Sequence, residues 1–240
     1  MLHRFGLDLV RYPMHDPAAR TVLLLNAHGV DTVLDVGAND GEFATSIREL
    51  GFTGKLISFE PLEEPFRALA RRAEKDGNWD VRRIAIGSES GEVMLNVAGN
   101  AGQSSSILPM LDRHEAAAPS SRYVAQQMVP IARLDDLVAD LDLGRRALLK
   151  IDVQGYEHAV LDGARDLLAS GTVVGVQSEV SLVPVYEGAM AFEEAVGKMR
   201  SLGLVLQGIE PVFTDRKTGQ VLQVDALFFP DVFIRPGHAT

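Results

Sequence analysis

From residue 31 onward, short apolar runs rich in β-branched residues alternate with segments whose apolar positions recur at helical spacing. The runs predict strands near 32–36, 55–59, 81–86, 147–153, 172–178, 204–209 and 222–229. Between them, Phe43, Ile47 and Leu50 mark one helix, and Leu62, Phe66, Leu69 and Ala73 a second. Leu161, Ala164 and Leu168 mark a third, and Phe192, Ala195, Val196 and Met199 a fourth. Spacings of i, i+3, i+4 and i+7 gather apolar side chains on one helix face, so these residues are expected in sheet-facing core. The alternation predicts βαβ units and a parallel sheet. The turn from Asp215 to Gly219 is too short for a helical crossover, so the last two strands should be antiparallel. The fold class predicted is doubly wound α/β, with a seven-stranded, mostly parallel sheet and an antiparallel last strand.

One region breaks the rhythm. Residues 87–146 hold a Gly-Ser-Glu-Ser-Gly turn, a short strand at 92–97, a Gly/Ser/Asn-rich loop at 98–106, then Pro109 and Pro119. Segments of this length and composition are usually lids or binding loops, and a lid inserted in one domain over 31–240 is expected. Residues 1–30 are expected to form a helical lead-in over part of the sheet or the substrate entrance.

Composition narrows the class. With 240 residues, 46% of them hydrophobic, the chain can bury one large core. No apolar run approaches the roughly 20 residues of a membrane span, and none near the start matches a signal-peptide core, so a cytoplasmic protein is expected. The absence of cysteine excludes a disulfide framework and a thiolate nucleophile. A formal charge of −10 disfavours a nucleic-acid partner, because phosphate affinity comes largely from Lys and Arg. The pairs Arg71-Arg72, Arg82-Arg83 and Arg145-Arg146 read as solvated faces. A homo-oligomer is left open.

The candidate chemistry gathers at predicted strand ends. The first strand runs through Asp35, Val36, Gly37, Ala38, Asn39, Asp40 and Gly41 into an amphipathic helix, which puts backbone N–H groups at the carboxyl edge of the sheet, where open α/β folds bind ligands. Glycine there permits a tight turn and close approach of a ligand. Asp35 and Asp40 would repel a pyrophosphate but suit a ligand bearing an amine and a sulfonium. The G-x-G-x-x-G dinucleotide pattern is not met, since position 39 is Asn and position 42 is Glu. Glu60-Pro61 follows Gly37 by 23 residues and ends the next strand, where a carboxylate can accept from both vicinal hydroxyls of a ribose. At such a strand end, truncation of Glu60 is expected to spare the fold. Ala85 and Ile86 then lie where an adenine would sit. Ser104, Ser105 and Ser106 either hydrogen-bond the cofactor or merely loosen their loop.

The segment Lys150-Ile151-Asp152-Val153-Gln154-Gly155-Tyr156-Glu157-His158 carries the catalytic candidates. Alternation on a strand puts Lys150 and Asp152 on one face. Asp152 can take the proton of an attacking hydroxyl, with Lys150 tuning its charge; the alternatives are a helix cap or an amine-binding acid. His158 is a second candidate base. Glu179, closing the fifth strand, can bracket an acceptor with Asp152 or join an oxygen-ligand metal site; two carboxylates make too weak a signal, and no metal is assigned.

These residues resemble the FkbM family of methyltransferases, over about 33–229. The matching pieces are Leu34 to Gly41, Phe59-Glu60-Pro61, Arg133-Leu134-Asp135-Asp136-Leu137, Lys150 to Glu157, Glu179, and Asp225-Ala226-Leu227-Phe228. The resemblance implies a class I, Rossmann-like fold with S-adenosylmethionine as donor, held by Asp35, Gly37, Asn39, Gly41 and Glu60. It also implies O-methylation of a small-molecule or glycolipid hydroxyl, often on a sugar or a secondary metabolite. One departure is Gln154, where the family usually has Glu, which weakens any metal or base role there. A nucleic-acid methyltransferase of the same fold would need an Asn/Asp-Pro-Pro-aromatic motif after the fourth strand, and none is present. A non-catalytic module that binds the cofactor or a carbohydrate is the remaining alternative.

Overall fold

The computed structural model describes residues 16–231. In chain order its elements are α1 (Pro17–Ala27), β1 (Thr32–Val36), α2 (Glu42–Glu49), β2 (Lys55–Phe59), α3 (Glu63–Asp76), β3 (Trp79–Arg82), β4 (Ala85–Ile86), β5 (Gly91–Ala98), α4 (Asp112–Ala117), β6 (Tyr123–Ala132), α5 (Leu134–Leu137), β7 (Ala147–Ile151), α6 (Glu157–Asp162), α7 (Arg165–Ala169), β8 (Val173–Ser181), α8 (Phe192–Ser201), β9 (Val205–Thr214) and β10 (Val221–Phe229). Seven strands form one sheet in the order β3-β2-β1-β7-β8-β10-β9. The strands from β3 to β8 pair in parallel, and β10 lies antiparallel between β8 and β9.

The unbroken apolar runs have a physical reason, since every residue of β1 and of β7 is buried under helices on both faces. Alternate residues feed opposite cores. Leu34 and Val36 pack with Val160, Leu161, Ala195 and Met199 on one side, whereas Val33 packs with Val22, Leu25, Ala44 and Ile47 on the other. Removing a fully buried leucine such as Leu34 would cost about 2–5 kcal/mol, because so packed a site cannot collapse around the cavity.

Three features differ from the expectations. The run at 81–86 is two strands: β3 pairs with β2 at the edge of the main sheet, while β4 leaves it to pair with β6 in a three-stranded sheet ordered β4-β6-β5. The segment 87–146 contributes the antiparallel pair β5–β6, with Met94 opposite Met128. The third helix is interrupted at Gly163, where a Cβ would stand 1.9 Å from the Gly87 carbonyl oxygen. The close backbone contact replaces a side chain, and α6 and α7 flank it. Of the helical lead-in, α1 lies within the described residues; positions 1–15 lie outside them. Among the described residues, no helix is long and apolar enough to cross a membrane.

Candidate active site

Strand register sets out the polar groups. In the parallel sheet, Ser58, Asp35, Lys150 and Gln177 are successive partners on β2, β1, β7 and β8, so their side chains form one row across a single face. Lys150 Nζ sits 3.2 Å from Asp35 Oδ1 and 3.5 Å from Asp152 Oδ2, and donates to the Gly37 carbonyl at 3.4 Å. Burial alone would lower the Lys150 pKa, but the carboxylates of Asp35, Asp152 and Asp225 outweigh it and raise it. The ammonium thus ties the end of β1 to the end of β7.

Above this row the carboxyl ends of the strands, the loop at 100–105 and α1 enclose a cavity of about 800 Å³, within the size range of small-molecule sites. On one side runs the turn after β1. Gly37 and Gly41 have φ of 78° and 87° and Asn39 has 47°. A Cβ on Gly37 would lie 1.8 Å from the Asp152 carbonyl oxygen, and one on Gly41 would meet Leu69 and Trp79 at 2.9 Å. These glycines are therefore needed for positive φ and for packing of the loop on protein, not to make room for a ligand.

Glu60 spans the same turn. Its Oε2 accepts from the Asn39 amide at 2.9 Å and its Oε1 from the Leu62 amide at 2.8 Å, joining the loop to the start of α3. Burial pushes this carboxyl up to about 7, against the lowering effect of those two N–H donors; Asp35 adds to the rise and Lys150 opposes it. Each oxygen keeps a further lone pair, so two hydroxyls can still be accepted. Ala85 and Ile86 are buried in the wall nearby.

The other side of the cavity centres on Asp152 and Gln154. Gln154 has φ 54°, held by Glu157, whose Oε1 accepts the flanking amides of Val153 and Gly155 at 3.2 and 3.0 Å. Burial, the largest influence, raises the Glu157 carboxyl to about 7. The Gln154 amide nitrogen donates to Asp152 Oδ1 and to Glu179 Oε2, each at 2.8 Å, while its oxygen accepts from the Tyr186 hydroxyl at 2.7 Å. Gln223 donates to the same Glu179 oxygen at 2.8 Å. Burial first, and then Asp152, Asp225 and Glu157, raise the Glu179 pKa well above the usual carboxylate range. Burial and the Asp152 charge likewise lift Asp225 to about 6.

Of the residues singled out from sequence, Gly37, Ala38, Asn39, Glu60, Pro61, Ala85, Ile86, Ser105, Lys150, Asp152 and Glu179 line this one cavity. Asp35, Gly41 and His158 are not among its lining residues. Asp35 is fully buried beneath the loop, against Lys150 and Ser58. Gly41 turns toward Leu69, and the His158 ring stands edge-on to Tyr156 at 5.5 Å. The Ser105 hydroxyl accepts the Ala98 amide at 3.0 Å. Sequence reasoning missed Gln177, Tyr186, His114 and Gln223, and gave Asp225 no role. Asp225 lay in a quoted motif; the other four carried no local signal. Among the described residues, no group of three or more His, Asp or Glu is arranged to hold a metal ion.

A doubly wound sheet with its last strand antiparallel, and a cavity at the carboxyl edge, defines the class I methyltransferase architecture. The family model described as the methyltransferase FkbM domain matches residues 35–206, and the chain belongs to that family. Its methyl donor is S-adenosylmethionine. The chain is 28% identical over 183 residues to the 2-O-methyltransferase NoeI of Sinorhizobium fredii, covering 73% of each chain. Similar solved structures include 1,6-didemethyltoxoflavin-N1-methyltransferase of Burkholderia thailandensis, at 14% identity, 91% and 80% coverage of this chain and that one, and TM-score 0.42. Another is TehB of Haemophilus influenzae, at 9% identity, 96% and 65% coverage, and TM-score 0.48. The residues present suit the donor: the Glu60 oxygens have lone pairs left for ribose hydroxyls, and acidic walls favour a sulfonium and an ammonium.

Proposed function

We propose that the protein methylates a hydroxyl of a sugar, glycolipid or secondary-metabolite intermediate in the cytoplasm, with Asp152 as the general base. The observation that carries this is the position of the Asp152 carboxylate. Its side chain is 33% exposed, at the junction between the loop that follows β1 and the half of the cavity lined by β8 and β10. S-adenosylmethionine, when bound, supplies an electrophilic methyl group on a sulfonium. Asn39, Glu60, Pro61, Ala85, Ile86 and Ser105 hold and orient that donor. Asp152 Oδ2 takes the proton of the acceptor hydroxyl as the oxygen becomes nucleophilic. Lys150 holds Asp152 from one side and the Gln154 amide holds it from the other, which fixes the direction in which the carboxylate presents its free lone pairs. Glu179, anchored by Gln154 and Gln223, faces the acceptor from across Asp152. The likeness to a 2-O-methyltransferase supports oxygen as the methylated atom.

The test is incubation with S-adenosylmethionine and a panel of hydroxylated acceptors, following release of S-adenosylhomocysteine and locating the new methyl group by NMR. An O-methyl product is expected. A methyl group on nitrogen or carbon, or no release with any acceptor in the panel, would overturn the assignment.

A further inference from the structure

The half of the cavity assigned above to the acceptor is unbalanced in its hydrogen-bonding chemistry. Asp152, Glu179, Glu210 and Asp225 line it, and the cations that line the cavity among the described residues are Lys150 and Arg20. Arg20 is ion-paired with Glu210. The three N–H groups of Lys150 face three oxygens, those of Asp35, Asp152 and Gly37. The amides are turned the same way. Both N–H bonds of the Gln154 side chain go to carboxylates, Gln223 donates to Glu179, and Gln177 donates to Asp225 at 3.2 Å. A second, independent observation points at a ligand. Gln177 is 6% exposed, and its carbonyl oxygen Oε1 is buried without a hydrogen-bond partner among the described residues, in the wall of the cavity. A buried acceptor left unpaired is costly, so a small rotation of the side chain that brings it to a bound donor is favoured.

We propose that this half of the cavity selects acceptors that are rich in hydrogen-bond donors and carry no anionic group where they enter it. Neutral polyols and ammonium-bearing sugars fit; phosphorylated, sulfated or uronic sugars do not. An anion would meet the carboxylates of Asp152, Glu210 and Asp225 with the N–H groups of Lys150, Gln154, Gln177 and Gln223 already committed, whereas hydroxyl and ammonium hydrogens would find the free lone pairs of Asp225 and Glu179 and, on a small rotation of its side chain, Gln177 Oε1. After burial, the carboxylates that raise the Glu179 and Asp225 pKa values outnumber the one cation, Lys150, that opposes the rise. The inference rests on the division of the cavity into donor and acceptor halves made above, and names the acceptor's charge class.

The experiment compares three probes on one glucopyranose ring, with the full chain saturated with S-adenosylhomocysteine: methyl glucoside, its ammonium-bearing 2-amino-2-deoxy analogue, and methyl glucoside 6-phosphate. Affinities are read by ligand-observed NMR at constant ionic strength, so no turnover is required. The phosphate is expected to bind at least about tenfold more weakly than the other two, since like-charge juxtaposition in a recess is strongly unfavourable. In Asp225→Asn the gap should narrow severalfold. Equal response to all three probes, including no response to any, or tighter binding of the phosphate, would overturn the proposal. Discrimination by charge without methyl transfer would sink the O-methylation assignment and leave this one standing; O-methylation of acceptors that are bound regardless of charge would do the reverse.

Discussion

Replacement of Glu60 by Gln should change how stability depends on pH, and the size of the change follows from the site. The carboxyl is 5% exposed and its pKa in the folded protein is about 7, against 4.5 when unfolded. A raised acid contributes stability that is complete below pH 4.5 and is lost as the pH rises through 7. At 1.36 kcal/mol per unit, that loss is about 3 kcal/mol. Gln does not titrate, and it offers one oxygen where Glu60 offers two, so either Asn39 or Leu62 N–H loses its acceptor at a pH-independent cost of about 1–3 kcal/mol. The Glu60→Gln protein should therefore melt below the parent at pH 4.5 and gain on it steadily up to pH 7. At 2–4 °C per kcal/mol the change in the difference is roughly 6–12 °C. Calorimetric melting of both proteins at half-unit steps would read it. A difference that stays constant across this window would refute the idea that burial sets the Glu60 pKa. Glu60→Ala orphans both amides, so the sequence-based view of a harmless truncation is replaced by an expected loss of stability together with weaker S-adenosylhomocysteine binding.

Other outcomes follow from the same geometry. Asp152→Asn should lower kcat by about 10²–10⁴-fold while changing the S-adenosylhomocysteine Kd little, and near-normal turnover would remove Asp152 as the base. Gln154→Glu sets a third acid between Asp152 and Glu179 in place of two N–H donors, so it should destabilise the protein by about 3 kcal/mol near neutrality and less at pH 5, as read by urea unfolding. A penalty equal at both pH values would argue against the bridge. A Gly-Ser linker in place of residues 100–106 should weaken the cofactor as well as raise the acceptor KM, because Ala101 accepts from Asn39 at 3.5 Å and Ser104 from Tyr186 at 3.2 Å; titration calorimetry and steady-state kinetics separate the two effects.

The parts of the fold visible in sequence were those governed by local pattern. β1 and β2 match their predicted bounds, because each is a short apolar run closed by a turn. The run at 81–86 misled because Val81 and Ile84-Ala85-Ile86 read as one strand across Arg82-Arg83, the point where the chain leaves one sheet for another. β6 escaped notice because its outer half is exposed and polar and it contains Pro130; β4 pairs with it from Ile131 onward, so the missing N–H at Pro130 costs no bond to β4. In the site, Lys150 and Asp152 shared a face as strand alternation requires. The bond from Tyr186 to Gln154 spans 32 positions and depends on tertiary packing, which periodicity does not encode.

The insertion of β10 between β8 and β9 has a consequence for the order in which the two halves of the cavity can be completed. The bridge from Glu60 to the amides of Asn39 and Leu62 draws only on residues 39–62. Gln223 and Asp225, by contrast, come with the last of the described strands, and until it pairs β8 and β9 present unpaired edges to one another. Until β10 pairs, the Gln223 and Asp225 side of the cavity is missing, and two open strand edges stand ready to be captured by another chain.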